Sequence, residues 1–351
     1  MQIKKPTLHI LTDYTPFDNK IETYWRECFK DIDFDQYEVN IIEGSSLRHD
    51  SYLWSDTHFK SQQLKVILDM VTKNEIKTGD VFIFTNAWNF VAVPLSFFRY
   101  EFGLKIKMIG FWGNSLFNRQ SPMWKRFKRK HKKWGRDFEL ALYNAYDLNC
   151  FLCDEHLKLF QNKYSGRNLR KTEFAVTGYP FEYLTRDVGL DDKEKKIVFP
   201  YDVVNEYQSQ IFKGLAAELD YEFVFARKTH NNRWQYKILL KESVGMFCAA
   251  YSEYDPAMLY EGMVNGLIPF VPNRLMYQYT FPEVYQYPSM LSKPKNNKFL
   301  YIVRNRLQLM DFISEKIDNY NQWKDVVLSD AREMGEKYYS NGLFKSLLNA
   351  I

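Results

Sequence analysis

Glycine is scarce, with 15 in 351 residues, and proline numbers 12. That excludes collagen-like and linker-like chains. Cysteine is scarcer still: Cys28, Cys150, Cys153 and Cys248 do not make a disulfide framework in a chain of this length. No run of 18 apolar residues occurs; the greasiest stretch, 88–98, is broken by Asn89, Pro94 and Ser96, so no spanning helix is expected. The start, MQIKKPTLHILTD, lacks an apolar h-region with a small-residue cleavage site, which predicts no secretory signal and a cytoplasmic protein. Neither GxGxxG nor GxxxxGK[ST] is present, so dinucleotide and P-loop phosphate cradles are missing. There is no internal repeat and no low-complexity tract.

Aromatic residues are abundant, at 17%, and the formal net charge is +5. The length predicts about two domains. Short apolar runs alternate with amphipathic stretches. They predict strands at Leu8–Thr12, Tyr37–Ile42, Val81–Thr85, Ile106–Phe111, Leu148–Cys153 and Phe174–Thr177, then at Ile197–Pro200, Glu222–Ala226, Gly245–Ala249 and Ile268–Val271. Continuous apolar strands belong to parallel sheets covered on both faces, and segments such as Ser61–Lys73 and Gln208–Leu219 supply the crossovers. The fold class is therefore α/β. The expected organisation is a first Rossmann-like domain over 1–180, a linker over 181–195 and a second such domain over 196–330. A helix over 331–351 would pack back on the first.

Ligands of open α/β sheets bind beyond the carboxyl ends of the strands. That rule selects the loops Asp13–Asn19, Asn86–Asn89, Trp112–Asn118 and Asp154–His156 in the first domain. In the second it selects Tyr201–Asn205, Arg227–His230, Ser252–Glu261 and Asn273–Tyr277. Asp13 is a candidate acid there. His156 and His230 lie at strand ends and read as structural hydrogen-bonders. Cys150 and Cys153 sit three apart in a predicted strand, on opposite faces, and have no second Cys/His pair at zinc spacing; they read as buried thiols, and no metal is expected.

Glu253-Tyr-Asp-Pro-Ala-Met-Leu-Tyr-Glu261 follows one strand, and Glu261 is expected to open a helix before the next. A carboxylate in that place can accept from vicinal sugar hydroxyls, and a helix N-terminus beside it can take a phosphate. By composition alone the two glutamates are equally two surface residues. The segment resembles the Glu-x7-Glu region of retaining GT-B glycosyltransferases. It resembles more closely a phage and bacterial subgroup in which the second Glu leads to G-x-I-P-x-V-P-N-R-L-x-Y, here Gly266 to Tyr277. FWGNS (111–115), Phe138-Glu139, AYDLNCFLCDEH (145–156) and VTGYPFEYL (176–184) follow the subgroup's order, so the likeness covers roughly 105–285.

The resemblance implies a GT-B fold with two domains facing a cleft, and a UDP-sugar as co-substrate with no further cofactor required. It implies that Glu261 holds the donor ribose, that Glu253 and the loop after it meet the sugar and diphosphate, and that Tyr201 and Tyr277 line the donor site. VFPYD (198–202) is similar to a V-F-P-H-R strand whose Arg, with a Lys five residues on, neutralises the diphosphate. Asp202 and Tyr207 stand there instead, so Arg227, Lys228 and Arg274 are the candidate donor cations. Gly113 replaces a frequent His, and Asn114 beside it is a candidate acceptor contact.

Residues 125–136 hold eight Lys/Arg and no acid, and removing those charges turns +5 into −3. Trp124, Phe127, His131, Trp134 and Phe138 recur at spacings of three and four, which predicts a helix from near Pro122. Three readings stand open: a solvated face of a core helix, an anionic membrane surface, and phosphate contacts with nucleic acid. The last is favoured, with Lys125, Arg126, Lys128, Arg129, Lys132 and Lys133 as the contacts. Together with the phage resemblance it points to a monomeric enzyme that transfers glucose or arabinose, with retention, to 5-hydroxymethylcytosine in double-stranded DNA. The alternatives are a glycosyltransferase for a surface glycan or lipid-linked acceptor, and a non-catalytic nucleic-acid-binding protein on a GT-B scaffold.

Overall fold

The computed structural model describes the chain except residues 1–4, 14–19, 32–36, 46–51, 114, 117–126, 128–130, 165–171, 187, 189–192, 201–205, 227–231, 251–255, 275, 293–297 and 351. It divides into two compact units. Unit 1 comprises 1–181 and 338–351, and unit 2 comprises 182–337.

Unit 1 contains β1 (Thr7–Leu11), α1 (Lys20–Asp31), β2 (Glu38–Ile42), α2 (Tyr52–Thr72), β3 (Val81–Phe84), α3 (Ala92–Glu101), β4 (Lys107–Phe111), α4 (Lys132–Ala145), β5 (Leu148–Phe151), α5 (Asp154–Tyr164) and β6 (Glu173–Val176). Its six strands are all parallel, in the order β2-β1-β3-β4-β5-β6. The order reverses between β1 and β3, so the switch point lies at the ends of those two strands. β3 and β5 are buried along their whole length, as their unbroken apolar runs require.

Aromatic side chains fill the layers around this sheet. Gly110 in β4 is needed because a Cβ there would meet the Tyr146 ring at 2.6 Å. That ring lies on the sheet, and its hydroxyl donates to Ala87 O at 2.9 Å. On the other side, Trp25 packs edge-on against Phe111, Tyr179 and Phe181.

Unit 2 contains β7 (Glu194–Phe199), α6 (Glu206–Ala216), β8 (Glu222–Phe225), α7 (Arg233–Glu242), β9 (Ser243–Phe247), α8 (Ala257–Val264), β10 (Ile268–Pro272), the single turn α9 (Tyr277–Thr280), β11 (Gln286–Tyr287), α10 (Lys298–Asp318) and α11 (Tyr320–Tyr338). Its parallel strands run β11-β10-β9-β7-β8, with the switch point between β7 and β9. Lys193, just before β7, donates to the carbonyls of Leu240, Lys241 and Ser243 at 2.9–3.1 Å, which caps the negative end of α7.

A final helix, α12 (Asn341–Ala350), belongs to unit 1. Phe344 on it lies 6.2 Å from Phe29 and 6.0 Å from Phe111 between ring centroids. The chain arrives there past Gly178, whose φ of +62° and whose closeness to the Tyr338 backbone both exclude a side chain. Tyr179 N donates to Tyr338 O at 2.7 Å. No helix among the described residues is long and apolar enough to cross a membrane.

The basic helix differs from expectation. α4 begins at Lys132, with His131 at its N-cap, and Phe127 lies in a bend, so one helix does not run through 124–138; Pro122 and Trp124 lie outside the described residues.

Candidate functional site

The two switch points gather polar groups, and at each the side chains are locked by their neighbours. In unit 1, Asp13 follows β1 and Asn86 follows β3. Asn86 Nδ2 donates to Asp13 Oδ2 at 2.7 Å. Lys60, buried on α2, places its Nζ 2.9 Å from both Asp13 Oδ1 and Asp56 Oδ1 and 3.2 Å from Trp88 O. Burial alone would lower the Lys60 ammonium pKa, but the two carboxylates outweigh it and hold it above the usual lysine value. Gln63, one turn on, donates to Thr12 O and Ile42 O. Asp13 therefore stands at the switch point as a fixed, partly exposed carboxylate. Lys60 and Asp56 were not legible beforehand, because a buried lysine on an amphipathic helix reads like its exposed neighbours.

The FWGNS and AYDLNCFLCDEH segments build this unit rather than line an open site. Trp112 is buried, and its Nε1 donates to Asn149 Oδ1 at 2.7 Å. Asp147 pairs with Arg99 at 2.6 Å and accepts from Met108 N. Cys150 and Cys153 are buried thiols, each pushed up to about 12 by burial, and burial pushes His156 down to about 3. Among the described residues no group of three or more His, Cys, Asp or Glu is arranged to hold a metal ion. Glu139 is fully buried; its carboxylate accepts from Trp88 Nε1, Leu116 N and Tyr164 OH at 2.5–2.8 Å.

Of the candidate contacts in the basic segment Lys132 and Lys133 are described, at the start of α4, with Lys133 exposed. Asn114, Lys125, Arg126, Lys128 and Arg129 lie outside the described residues. Phe138 and Phe127 turn inward on Trp88, at 5.7 and 5.8 Å, while Trp134 stacks on Phe138 from the outside and is 60% exposed.

In unit 2 the chain leaving β9 is held from every side. Cys248 N donates to Phe270 O, and Tyr287 OH donates to Cys248 O at 2.6 Å. The Cys248 thiol donates to Tyr277 OH at 3.2 Å. Arg274 gives Nη2 to Ala249 O at 2.8 Å, Nε to Ala250 O at 2.9 Å and Nη1 to Ser289 O at 3.0 Å. Arg274 and Tyr277 are both buried. Where a phosphate cation was expected, the Arg274 guanidinium is turned onto backbone carbonyls and fixes the two residues that lead into 251–255. Glu253 lies in that stretch, outside the described residues, as do Tyr201, Asp202, Arg227, Lys228 and His230.

Glu261 is 2% exposed and sits in the second turn of α8, not at its start. The helix starts at Ala257 because Pro256 precedes it and proline is well tolerated only at a helix start. Glu261 Oε1 pairs with Arg233 Nη1 at 2.5 Å. Arg233 opens α7, directly after the N-cap Asn232, whose side chain accepts from Gln235 N at 2.9 Å. Arg233 was missed by sequence reading. The Asn-x-x-Gln capping pattern at 232–235 marks the helix start, but nothing local marks its pairing with residue 261.

No family model matches the chain, and none of the curated proteins compared with it matches. Solved structures do match. Sucrose-phosphate synthase from Thermosynechococcus elongatus is similar at TM-score 0.65 and 8% identity, with 99% of this chain and 100% of that one covered. α,α-Trehalose 6-phosphate synthase from Burkholderia multivorans gives 0.60 at 11% identity, with 99% and 98% covered. The chain has the GT-B fold. The pneumococcal O-GlcNAc transferase GtfA, solved with UDP and GlcNAc, gives 0.52 at 8% identity over 84% of this chain, which spans 60% of the GtfA chain. In GT-B terms, Asp13 stands at the first unit's switch point, and the Glu261–Arg233 pair and the Arg274 clamp stand in the second unit.

Proposed function

We propose that the chain is a retaining glycosyltransferase that moves glucose or arabinose from a UDP-sugar to 5-hydroxymethylcytosine in phage double-stranded DNA. The observation that carries the donor half is Glu261, a carboxylate buried on the helix that follows the switch-point strand β9. A buried acceptor in that place suits the vicinal hydroxyls of a nucleotide ribose. The similar structures add support: GtfA was solved with UDP, and a Burkholderia vietnamiensis trehalose-phosphate synthase with TM-score 0.59 is described as UDP-forming. Glu253 would meet the transferred sugar, Tyr201 and Tyr277 would shape the donor site, and Asp13 would face the acceptor hydroxyl. The departing diphosphate would take the acceptor proton, stabilised by fixed cations and amides, a chemistry in which charge is met by preorganised dipoles.

The acceptor half rests on the eight Lys/Arg of 125–136 and the phage resemblance. Rows of cations gain affinity for duplex DNA by releasing condensed counterions. A cytosine reaching the site would be flipped from the stack at a cost of about a few kcal/mol. The test is mass spectrometry of hydroxymethylcytosine DNA incubated with a panel of UDP-sugars. Addition of a hexose or pentose mass is expected, and no added mass with any donor removes this acceptor.

One observation favours a second reading, a lipid-linked acceptor at an anionic membrane. Phe97, Tyr100 and Phe102 at α3 and Trp134 on the adjoining α4 are 57–60% exposed, and α4 begins with Lys132 and Lys133. Binding to anionic vesicles with no binding to duplex DNA would select it.

A further inference from the structure

The donor site, on the reading above, lacks the Arg and Lys that its resembling enzymes carry, because Asp202 and Tyr207 occupy their positions. A diphosphate still needs positive charge beside it. Arg233 is placed against the electrostatic preference of its own helix, since a cation on the first residue of α7 is repelled by the helix dipole. Its charge is held there by Glu261, 2.5 Å away and almost wholly buried. The Arg233 side chain is itself 21% exposed, so one end of the pair is sealed and the other reaches solvent.

We propose that Arg233 is a diphosphate-binding cation of this chain and that it is exchanged from Glu261 to the donor on binding. The proposal rests on the donor reading of Glu261. The 2′- and 3′-hydroxyls of the nucleotide donate to Glu261, so the buried carboxylate keeps hydrogen-bond donors as the guanidinium leaves. The guanidinium turns to the diphosphate at the N-terminal end of α7, where an anion is favoured by both the arginine and the helix dipole. The Glu261 carboxylate has hydrogen-bond donors at either step, which matters because a buried carboxylate with none is strongly destabilising. The arrangement makes Glu261 selective for nucleotides over nucleosides: a ligand without phosphate must displace the arginine and offers it no anion in exchange.

The test is calorimetric titration of UDP and of uridine into the wild type and Arg233→Gln. UDP affinity is expected to fall by about ten-fold or more, the loss of a charge-assisted hydrogen bond. Uridine affinity is expected to stay level or rise, because Glu261 no longer gives up a cation. Equal UDP affinity in a folded variant overturns the proposal, and so does a parallel loss of UDP and uridine, which a purely structural ion pair would produce. If Arg233→Gln does not fold, Arg233→Lys keeps the charge without the fork and should give an intermediate UDP loss with unchanged uridine; unchanged UDP affinity there overturns it. Failure of the wild type to bind UDP or any UDP-sugar is a different result, and it removes the donor reading itself.

Discussion

Arg274 divides two accounts of the second unit, one in which it binds phosphate and one in which it holds the backbone. Replacing it with Met keeps an unbranched apolar stem and removes all its donors. Three carbonyls lose a partner: those of Ala249 and Ala250 at the end of β9, and that of Ser289. Ser289 is only half-buried, so water can replace the arginine there. The two inner carbonyls belong to buried residues and decide the magnitude. Hydrogen bonds to a charged donor contribute about 1.5–3 kcal/mol each, so the loss should be roughly 3–6 kcal/mol. Hydrogen exchange over residues 243–250, read alongside urea unfolding of the full chain, is the assay. Protection of this segment should drop, and UDP affinity should fall with it because 251–255 are launched from a looser strand end. Arg274→Lys should recover little, since one ammonium cannot serve three diverging carbonyls. A folded Arg274→Met with stability within about 1 kcal/mol of wild type, yet without UDP binding, would refute the clamp and restore the phosphate role.

Lys60→Met should destabilise unit 1 by about 3–5 kcal/mol by leaving Asp13 and Asp56 without their buried cation. The folded pKa of Lys60 is raised, so its stabilisation is complete below the unfolded value near ~10.4 and fades only as pH rises past the folded one. The measured loss should therefore be flat across neutral pH, and thermal melts over that range check it. Asp80 behaves oppositely. Burial would raise its pKa, but hydrogen bonds from His9, Lys77 N and Thr7 N outweigh that and hold it below the usual range. Its stabilisation is present above about pH 3.9 and disappears as pH falls through the lowered folded value. Asp80→Asn should thus show a shallower acid-unfolding curve than wild type below about pH 4, and an unchanged curve would contradict the assignment. Replacing Lys128, Arg129, Lys132 and Lys133 with Ala should flatten the salt dependence of duplex DNA binding, measured by fluorescence anisotropy. The log–log slope should shrink by about 0.9 for each phosphate left without its cation, and an unaltered slope would remove this segment as a DNA contact.

The sheets were readable because both are parallel and buried, so their strands are nearly pure apolar runs. All ten expected segments pair in the sheets. β11, two residues long and followed by Pro288, carries no pattern of its own and was not foreseen. The helical spacing of 124–138 did not contain the bend at Phe127, a residue held by the Trp88 ring that Phe138 also meets. Long-range partners were the least legible. Glu261 was identifiable from its segment, but its partner Arg233 is brought to it only by the packing of α7 and α8 on their sheet. Lys60 is unremarkable in sequence and becomes informative only when β1, β3 and α2 converge. Arg274 was seen as a cation but not as a clamp, since the carbonyls it holds are defined by the fold.

The return of residues 338–350 to the first unit has a consequence for biosynthesis. Trp25, Phe111, Tyr179 and Phe181 are made early, yet part of the layer that covers them, Tyr339 and Phe344, is made only after the whole of unit 2. Domains usually fold in the order in which they leave the ribosome. Here the second unit can complete its core first, and the nascent first unit carries an unfinished aromatic face throughout that interval. Chaperone occupancy on the elongating chain should accordingly peak while 182–337 are being synthesised and fall once α12 emerges.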